Sequence, residues 1–232
     1  MRAILLAAGM GTRLRPLTLT TPKSLVEVNG KPMLEKQIEF LREKGVQEII
    51  VVTGYLHEKF NYLTEKYGVT LVHNDKYNQY NNIYTMYLVR EYLTDSYVID
   101  ADVYLHRNFL LKNPQTSLYF SSKKPDFKNE WVLRYDENDR IYDIEVRDGN
   151  DDYILCGISY WSKQDAEKIQ ASLEQIIAAG NFTDLYWDDV VKQNLSSLQV
   201  HLHRIQSDDS FEIDSLEDLR KMQEILKLQD TK

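Results

Sequence analysis

The chemistry this sequence can offer begins at Gly9-Met10-Gly11-Thr12-Arg13, where two glycines and a cation directly follow an apolar run. Glycine lets backbone amides approach an anion closely, so the segment is a candidate phosphate cradle. It completes no standard fingerprint. A dinucleotide fold needs a third glycine where Leu14 stands, and a P-loop needs Gly-Lys-Ser/Thr after four intervening residues. A tight strand-to-helix turn without a ligand accounts equally well for the glycines alone. The second signal is Asp100-Ala101-Asp102, whose carboxylates point the same way on an extended chain. Such a pair suits magnesium, a hard ion that takes one or two carboxylates and fills its other positions with water and phosphate oxygens. Histidine offers little. His57, His73, His106, His201 and His203 are scattered without metal spacing, and the alternating pair His201 and His203 has no third ligand nearby, so both are expected at the surface.

These groups need a frame. Ala3-Ile4-Leu5-Leu6-Ala7-Ala8 is short, apolar without alternation and ended by glycine, which reads as a strand buried on both faces, as in a parallel sheet. The spacing of Leu34, Ile38 and Leu41 predicts a helix from Met33, closed by Gly45. Glu48 to Val52 reads as a second strand, Phe60, Leu63 and Tyr67 as a helix closed by Gly68, and Val69 to Val72 as a third strand. Ile83 to Leu93 then reads as a helix and Tyr97 to Ile99 as a fourth strand. The alternation predicts an α/β fold, doubly wound on a mostly parallel sheet. Asp100 and Asp102 then lie just past the carboxyl end of a strand, where open α/β sheets bind ligands.

Beyond Asp102 the segments Leu118 to Phe120, Trp131 to Tyr135, Ile141 to Val146 and Ile154 to Trp161 look like strands joined by polar turns, a smaller antiparallel and partly inserted region. Ser162 to Ala179 reads as a helix and Val200 to His203 as a strand. Ser215-Leu216-Glu217-Asp218 matches a capping box opening an amphipathic helix with Leu219, Met222 and Ile225. No repeat, low-complexity tract or Pro/Gly/Ser linker interrupts the chain, so residues 1–232 are expected to form one domain.

Composition narrows the setting. Hydrophobic residues make up 43% and charged residues 28%, the balance of a globular chain rather than a disordered one. Cys156 is the single cysteine, so there is no disulfide and no thiolate cluster, and a reducing cytoplasm is the expected home. The apolar start of the chain is shorter than the ~7–15 residues of a signal-peptide core, and no stretch reaches the ~18 of a membrane span. A formal charge of −8 argues against a nucleic-acid partner, which calls for a basic face. The 16 tyrosines and 3 tryptophans are either packing or a stacking surface.

The string Leu6-Ala7-Ala8-Gly9-Met10-Gly11-Thr12-Arg13-Leu14, with Pro22-Lys23-Ser24-Leu25 and Lys31-Pro32-Met33, closely resembles the nucleotidyltransferases that activate phosphorylated small molecules with a nucleoside triphosphate. The resemblance implies a Rossmann-like nucleotidyltransferase fold and assigns roles. The loop through Leu6, Ala8, Gly9, Gly11 and Thr12 would hold the triphosphate, Arg13 would meet departing pyrophosphate, and Lys23 would contact phosphate during transfer. Asp102 sits where the family keeps its first metal ligand. A second acid is then expected near the carboxyl end. Phe211-Glu212-Ile213-Asp214-Ser215 supplies two candidates, of which Glu212 is favoured, while Asp214 directly precedes the capping serine and could serve the helix instead.

The middle of the chain bears on the second substrate. Asn81-Asn82-Ile83-Tyr84-Thr85-Met86-Tyr87, Asn129-Glu130-Trp131 and Asp184-Leu185-Tyr186-Trp187-Asp188-Asp189 set aromatic residues beside acids and amides. A quaternary ammonium donates no conventional hydrogen bond and is recognised by aromatic faces and carboxylates, whereas a sugar calls for polar groups matched to its hydroxyls. Over nearly its whole length, the sequence resembles bacterial CTP:phosphocholine cytidylyltransferases of choline-decoration pathways for surface glycans. The resemblance implies CTP and phosphocholine as small-molecule partners, Mg2+ as cofactor, Trp131, Tyr186, Trp187 and Asp188 at a choline site, and Asp100 at the nucleotide, with Tyr80 and Asn82 as expected contacts near the base. Rival readings are a nucleotidyltransferase for a sugar phosphate, phosphoethanolamine or a phosphonate, and a catalytically silent nucleotide-binding module.

Overall fold

A computed structural model of the chain describes residues 1–230. β1 (Arg2–Ala7) alternates its side chains between two buried layers, with Ile4 and Leu6 on one side of the sheet and Ala3, Leu5 and Ala7 on the other. It is therefore a central strand. After β2 (Glu27–Val28) and β3 (Lys31–Pro32), a short antiparallel pair, comes α1 (Met33–Glu43), followed by β4 (Glu48–Thr53), α2 (Tyr62–Tyr67) and β5 (Thr70–His73). α3 (Asn82–Leu88) leads to β6 (Ser96–Asp100). β4 and β6 flank β1 in parallel, and β5 continues beyond β4. Leu34, Ile38, Leu41 and Leu63 from α1 and α2 cover one face, while Ile83 and Met86 from α3 cover the other. The expected doubly wound parallel core is present.

After the short β7 (Val103–Leu105), four longer strands follow: β8 (Ser117–Lys124), β9 (Phe127–Tyr135), β10 (Ile141–Gly149) and β11 (Asp152–Trp161). They do not make a separate layer. β11 pairs antiparallel with β6, β8 and β9, so these four strands join the same sheet, which reaches nine strands with one further strand near the end of the chain. α4 (Lys163–Ala179), α5 (Trp187–Asn194) and β12 (Val200–Arg204) come next, and Ala166, Ile169, Leu173, Val190 and Val191 complete the layer begun by α3. β12 pairs parallel with β8. It holds His201 and His203 half-buried rather than at the surface, with the His203 ring 4.8 Å from that of Phe120.

The chain finishes with β13 (Ser210–Glu212) and α6 (Leu216–Asp230). The expected capping box opens α6, since the Ser215 Oγ accepts the Asp218 amide at 3.2 Å and the Asp218 carboxylate accepts the Ser215 amide at 2.8 Å. Leu219 and Met222 of α6 pack with Leu14 and Val26, so the final helix fastens the glycine-rich segment from behind.

Candidate active site

Parallel strands end together, and that edge is where the chemistry gathers. Leu6 of β1 lies in register with Asp100 of β6, and the Ala101 amide donates to the Leu6 carbonyl at 3.1 Å. From α1 the buried Gln37 donates through Nε2 to the carbonyls of Asp100 and Val103, at 3.0 and 2.7 Å, and so fixes the turn that carries Asp102. β13 pairs antiparallel with β7, setting Glu212 opposite Val103, and the Ile213 amide donates to the Asp102 carbonyl at 3.1 Å. Two segments more than a hundred residues apart are thereby stitched together. Carboxylate oxygens of Asp102, Glu212 and Asp214 lie within 4.8 Å of one another.

Lys23 is the counter-charge. Its Nζ sits 2.7 Å from Asp102 Oδ2 and 2.6 Å from Asp214 Oδ1, while Arg13 reaches the same Asp214 oxygen at 2.8 Å. Only 12% of the Lys23 side chain is exposed, and burial opposes its charge, yet the two carboxylates hold its pKa above the ordinary lysine value. Burial likewise opposes ionisation of Asp214, but the bonds to Lys23 and the nearby Arg13 keep it below the usual range. Lys23 also favours the charge of Glu212, but too weakly to offset what opposes it. Crowding in the cleft, which takes its carboxylate partly out of water although the side chain as a whole stays exposed, and the facing Asp102 and Asp214 push it up to about 8. Asp100, enclosed at the end of β6 and facing Asp102, Asp188 and Glu212, is raised well above the usual carboxylate range.

Two glycines make this crowding possible. Gly11 has φ +57°, and a Cβ there would lie 2.7 Å from the Lys23 Cβ, so glycine both permits the backbone turn and admits the lysine. Gly157 of β11, at φ +67° where the β11–β8 register shifts, leaves room for Asp100; a Cβ would come within 2.8 Å of its Oδ2.

A cavity of about 320 Å³ opens in front of these groups, lined by Leu6, Ala8, Gly9, Lys23, Tyr80 and Asn82 together with Asp100, Asp102 and Glu212. Gly11, Thr12 and Arg13 lie outside its walls, and Arg13 joins the site through Asp214. A second cavity, of about 220 Å³, continues from the first and shares Asn82, Asp100, Asp102 and Glu212 with it. Its far end is aromatic. Trp131 of β9 and Tyr186 meet nearly edge to face, with ring centroids 6.1 Å apart at 80°. Trp187 closes another wall, only 3% exposed, its ring set against the fully buried Trp161 at 5.6 Å and 85°. Asp188 and Glu130 add carboxylates. Burial, tempered by a bond from Tyr119, pushes Asp188 up to about 7.

α5 had no clear sequence signal of its own, yet it delivers Trp187 and Asp188. Its first turn is set by the Asp189 carboxylate, which accepts the Tyr186 amide at 2.8 Å, and by Asn82 Oδ1, which accepts the Trp187 amide at 2.9 Å. Thus Asn82, expected near the nucleotide, also supports the opposite cavity. Gln37, Tyr119 and Gly157 were not identified from sequence. Each acts through a partner distant in the chain, and only a mid-strand glycine hints at one of them.

Residues 2–133 match a family profile described as nucleotidyl transferase. The choline-phosphate cytidylyltransferase of Streptococcus pneumoniae is 52% identical over 227 residues, which span 98% of this chain and 99% of that protein. The 2-aminoethylphosphonate cytidylyltransferase of Lancefieldella rimae is 37% identical, spanning 94% and 89%. The solved structure of CTP:phosphocholine cytidylyltransferase from S. pneumoniae superposes with a TM-score of 0.94 at 51% identity, over 97% of this chain and 98% of that one.

Proposed function

The chain belongs to the nucleotidyl transferase family, and from that premise we propose that it transfers CMP from CTP to phosphocholine, forming CDP-choline and pyrophosphate. The observation that carries this reading is the pair of joined cavities, one bordered by Gly9 and Lys23 and one aromatic, which meet at the acids Asp100, Asp102 and Glu212. A triphosphate laid along Gly9 and a trimethylammonium held between Trp131, Tyr186 and Trp187 would bring their phosphates together at that junction.

A phosphomonoester has its second pKa near ~6, so phosphocholine is mostly a dianion at neutral pH and needs no general base. Its oxygen attacks the α-phosphorus of CTP, a new O–P bond forms, and the bond to the bridging oxygen breaks as pyrophosphate leaves. Lys23 neutralises charge at the transferring phosphate and Arg13 meets the departing pyrophosphate, the preorganised cationic positioning on which such transfers depend. Asp188 and the aromatic walls orient the choline end. Tyr80 and Asn82 border the nucleotide end.

The acid cluster fits a divalent cation. Three carboxylates converge, all of them hard oxygen donors, and Glu212 is raised by the crowded cleft and by facing Asp102 and Asp214, a repulsion that a bound cation would relieve. Asp214 already serves two cations, which supports Asp102 and Glu212 as the principal ligands, with Asp214 beside them. Magnesium bound there would supply Lewis-acid charge at the reacting phosphate.

We further propose that residues 1–232 act as one nucleotidyltransferase domain, and that it works in the cytoplasm, in keeping with the unpaired Cys156. Among the described residues no helix is long and apolar enough to cross a membrane. The test is direct: incubate the protein with CTP, phosphocholine and magnesium and follow pyrophosphate release and CDP-choline, with Asp102→Asn as the control. The expected result is turnover that Asp102→Asn lowers at least about a hundredfold while the protein stays folded. No CDP-choline from the unmodified protein would reject the assignment.

A further inference from the structure

Asp188 does not stand alone in the aromatic cavity. Tyr119, in the middle of β8 and only 3% exposed, donates its hydroxyl to Asp188 Oδ1 at 2.7 Å. The tyrosine is itself immobilised, its ring set perpendicular to Trp161 at 5.5 Å, and Trp161 is braced in turn by the bond from its Nε1 to Ser159 Oγ at 2.9 Å. A hydroxyl held by a buried strand thus grips one oxygen of a carboxylate that rides on the first turn of a separate helix. Taking the aromatic cavity as the choline site, a premise of the proposed function, we propose that Tyr119 is a positioning residue: its hydroxyl holds the Asp188 carboxylate in the orientation that faces the trimethylammonium.

The chemistry favours this over simple packing. A trimethylammonium group offers no hydrogen bond to orient a carboxylate, so the orientation has to come from the protein side. A buried carboxylate without a donor takes up a proton and ceases to attract a cation. Asp188 has strong reasons to do so. Asp189 adjoins it on α5, Asp100 faces it from β6, and Glu130, Asp102 and Glu212 share the cavity. Among the groups around it, the Tyr119 hydroxyl is a side-chain donor that favours its charge. A phenylalanine at this position would fill the same space and supply none of this.

The experiment compares the unmodified protein, Tyr119→Phe, Asp188→Asn and the double variant in kcat and KM for phosphocholine and for CTP, with thermal stability as a fold check. Tyr119→Phe is expected to raise KM for phosphocholine about tenfold, the low end for a hydrogen bond to a charged group, and to leave KM for CTP and kcat within about twofold. In the Asp188→Asn background the same change is expected to add little, because the side chain it would orient there no longer carries the charge that attracts the trimethylammonium. The acid limb of kcat/KM for phosphocholine is expected to move to higher pH in Tyr119→Phe. Ionisation of the substrate phosphate is common to both proteins, so the displacement reports on the enzyme.

An unchanged KM in Tyr119→Phe, alongside a raised KM in Asp188→Asn, overturns the proposal and leaves the choline site standing. Equal effects of Tyr119→Phe in both backgrounds also overturn it, showing that the ring acts by packing. If Asp188→Asn itself leaves KM for phosphocholine unchanged, the assignment of the cavity falls and the proposal falls with it.

Discussion

Lys23 neutralises a cluster that would otherwise repel itself. Its ammonium touches Asp102 and Asp214, and both acids belong to segments far from it in sequence. Replacing it by methionine, which keeps the stem and removes the charge, is expected to lower kcat by about 10²–10³-fold with a smaller change in KM for CTP if, as proposed, the charge it meets develops during transfer. Stability is expected to respond as well, with a definite sign. Asp214 is held below its ordinary pKa, so its contribution is present above the unfolded value near 3.8 and disappears as pH falls through the folded value. Glu212, raised to about 8, works in the opposite sense, weakening the fold progressively from about pH 4.5 up to 8. Without Lys23 the first contribution shrinks and the second grows. The melting-temperature deficit of Lys23→Met should therefore be small near pH 4, widen toward pH 8, and narrow on adding magnesium. A deficit independent of both pH and magnesium would show that the ammonium is not the counter-ion of the cluster. Arginine is expected to restore little turnover, since its planar fork does not fit a pocket shaped for a compact ammonium.

The elements of the fold were legible where the pattern was local. β1, β4 and β6 announced themselves as unalternating apolar runs, and Gly45 and Gly68 end α1 and α2 with positive φ. α5 was not legible. Trp187, Asp188 and Asp189 resemble a binding motif more than a helix start, and the helix depends on an amide capped by Asn82 from over a hundred residues away. The break in β11 was also invisible as such, because Gly157 matters only through its closeness to Asp100 on the neighbouring strand. That contact makes a prediction about the element. Alanine at Gly157 would adopt a left-handed conformation costing about 1–2 kcal/mol, and its methyl group would press on the Asp100 carboxylate. Gly157→Ala is expected to lower the melting temperature and to impair turnover with both substrates, since Asp100 lines both cavities. Gly68→Ala is the matched control. It has nearly the same positive φ and open space around its Cβ, so it should show the backbone cost of losing a glycine without the clash and leave activity unchanged. Equal activity in the two variants would mean that the close approach at Gly157 is of no consequence.

At the scale of the molecule, one end of the sheet collects the glycine loop that follows β1, the acids at the end of β6, and an aromatic corner built from β9 and the start of α5. Selectivity follows from that division. Trimethylammonium spreads its charge over methyl groups and is weakly hydrated, so an aromatic enclosure loses little by stripping its water. A primary ammonium gives up strong hydrogen bonds to water that ring faces cannot replace. With cation–π contacts worth about 0.5–2 kcal/mol each, one or two rings give phosphocholine a preference on the order of tenfold to a few hundredfold over phosphoethanolamine and 2-aminoethylphosphonate. Glucose 1-phosphate should scarcely react. Trp131 is the ring to remove first. It is only partly buried and stands against Tyr186, whereas Trp187 is packed on Trp161 in the core, where truncation to alanine would also cost about 3–5 kcal/mol of stability. Trp131→Ala is expected to raise KM for phosphocholine about tenfold, leave KM for CTP nearly unchanged, and narrow the preference over phosphoethanolamine, because only the quaternary substrate depends on that face. If the preference survived Trp131→Ala intact, the ring would not be reading the ammonium. If kcat/KM for glucose 1-phosphate matched that for phosphocholine, the aromatic corner would have no part in substrate choice, though CMP transfer at Lys23 and Asp102 would remain.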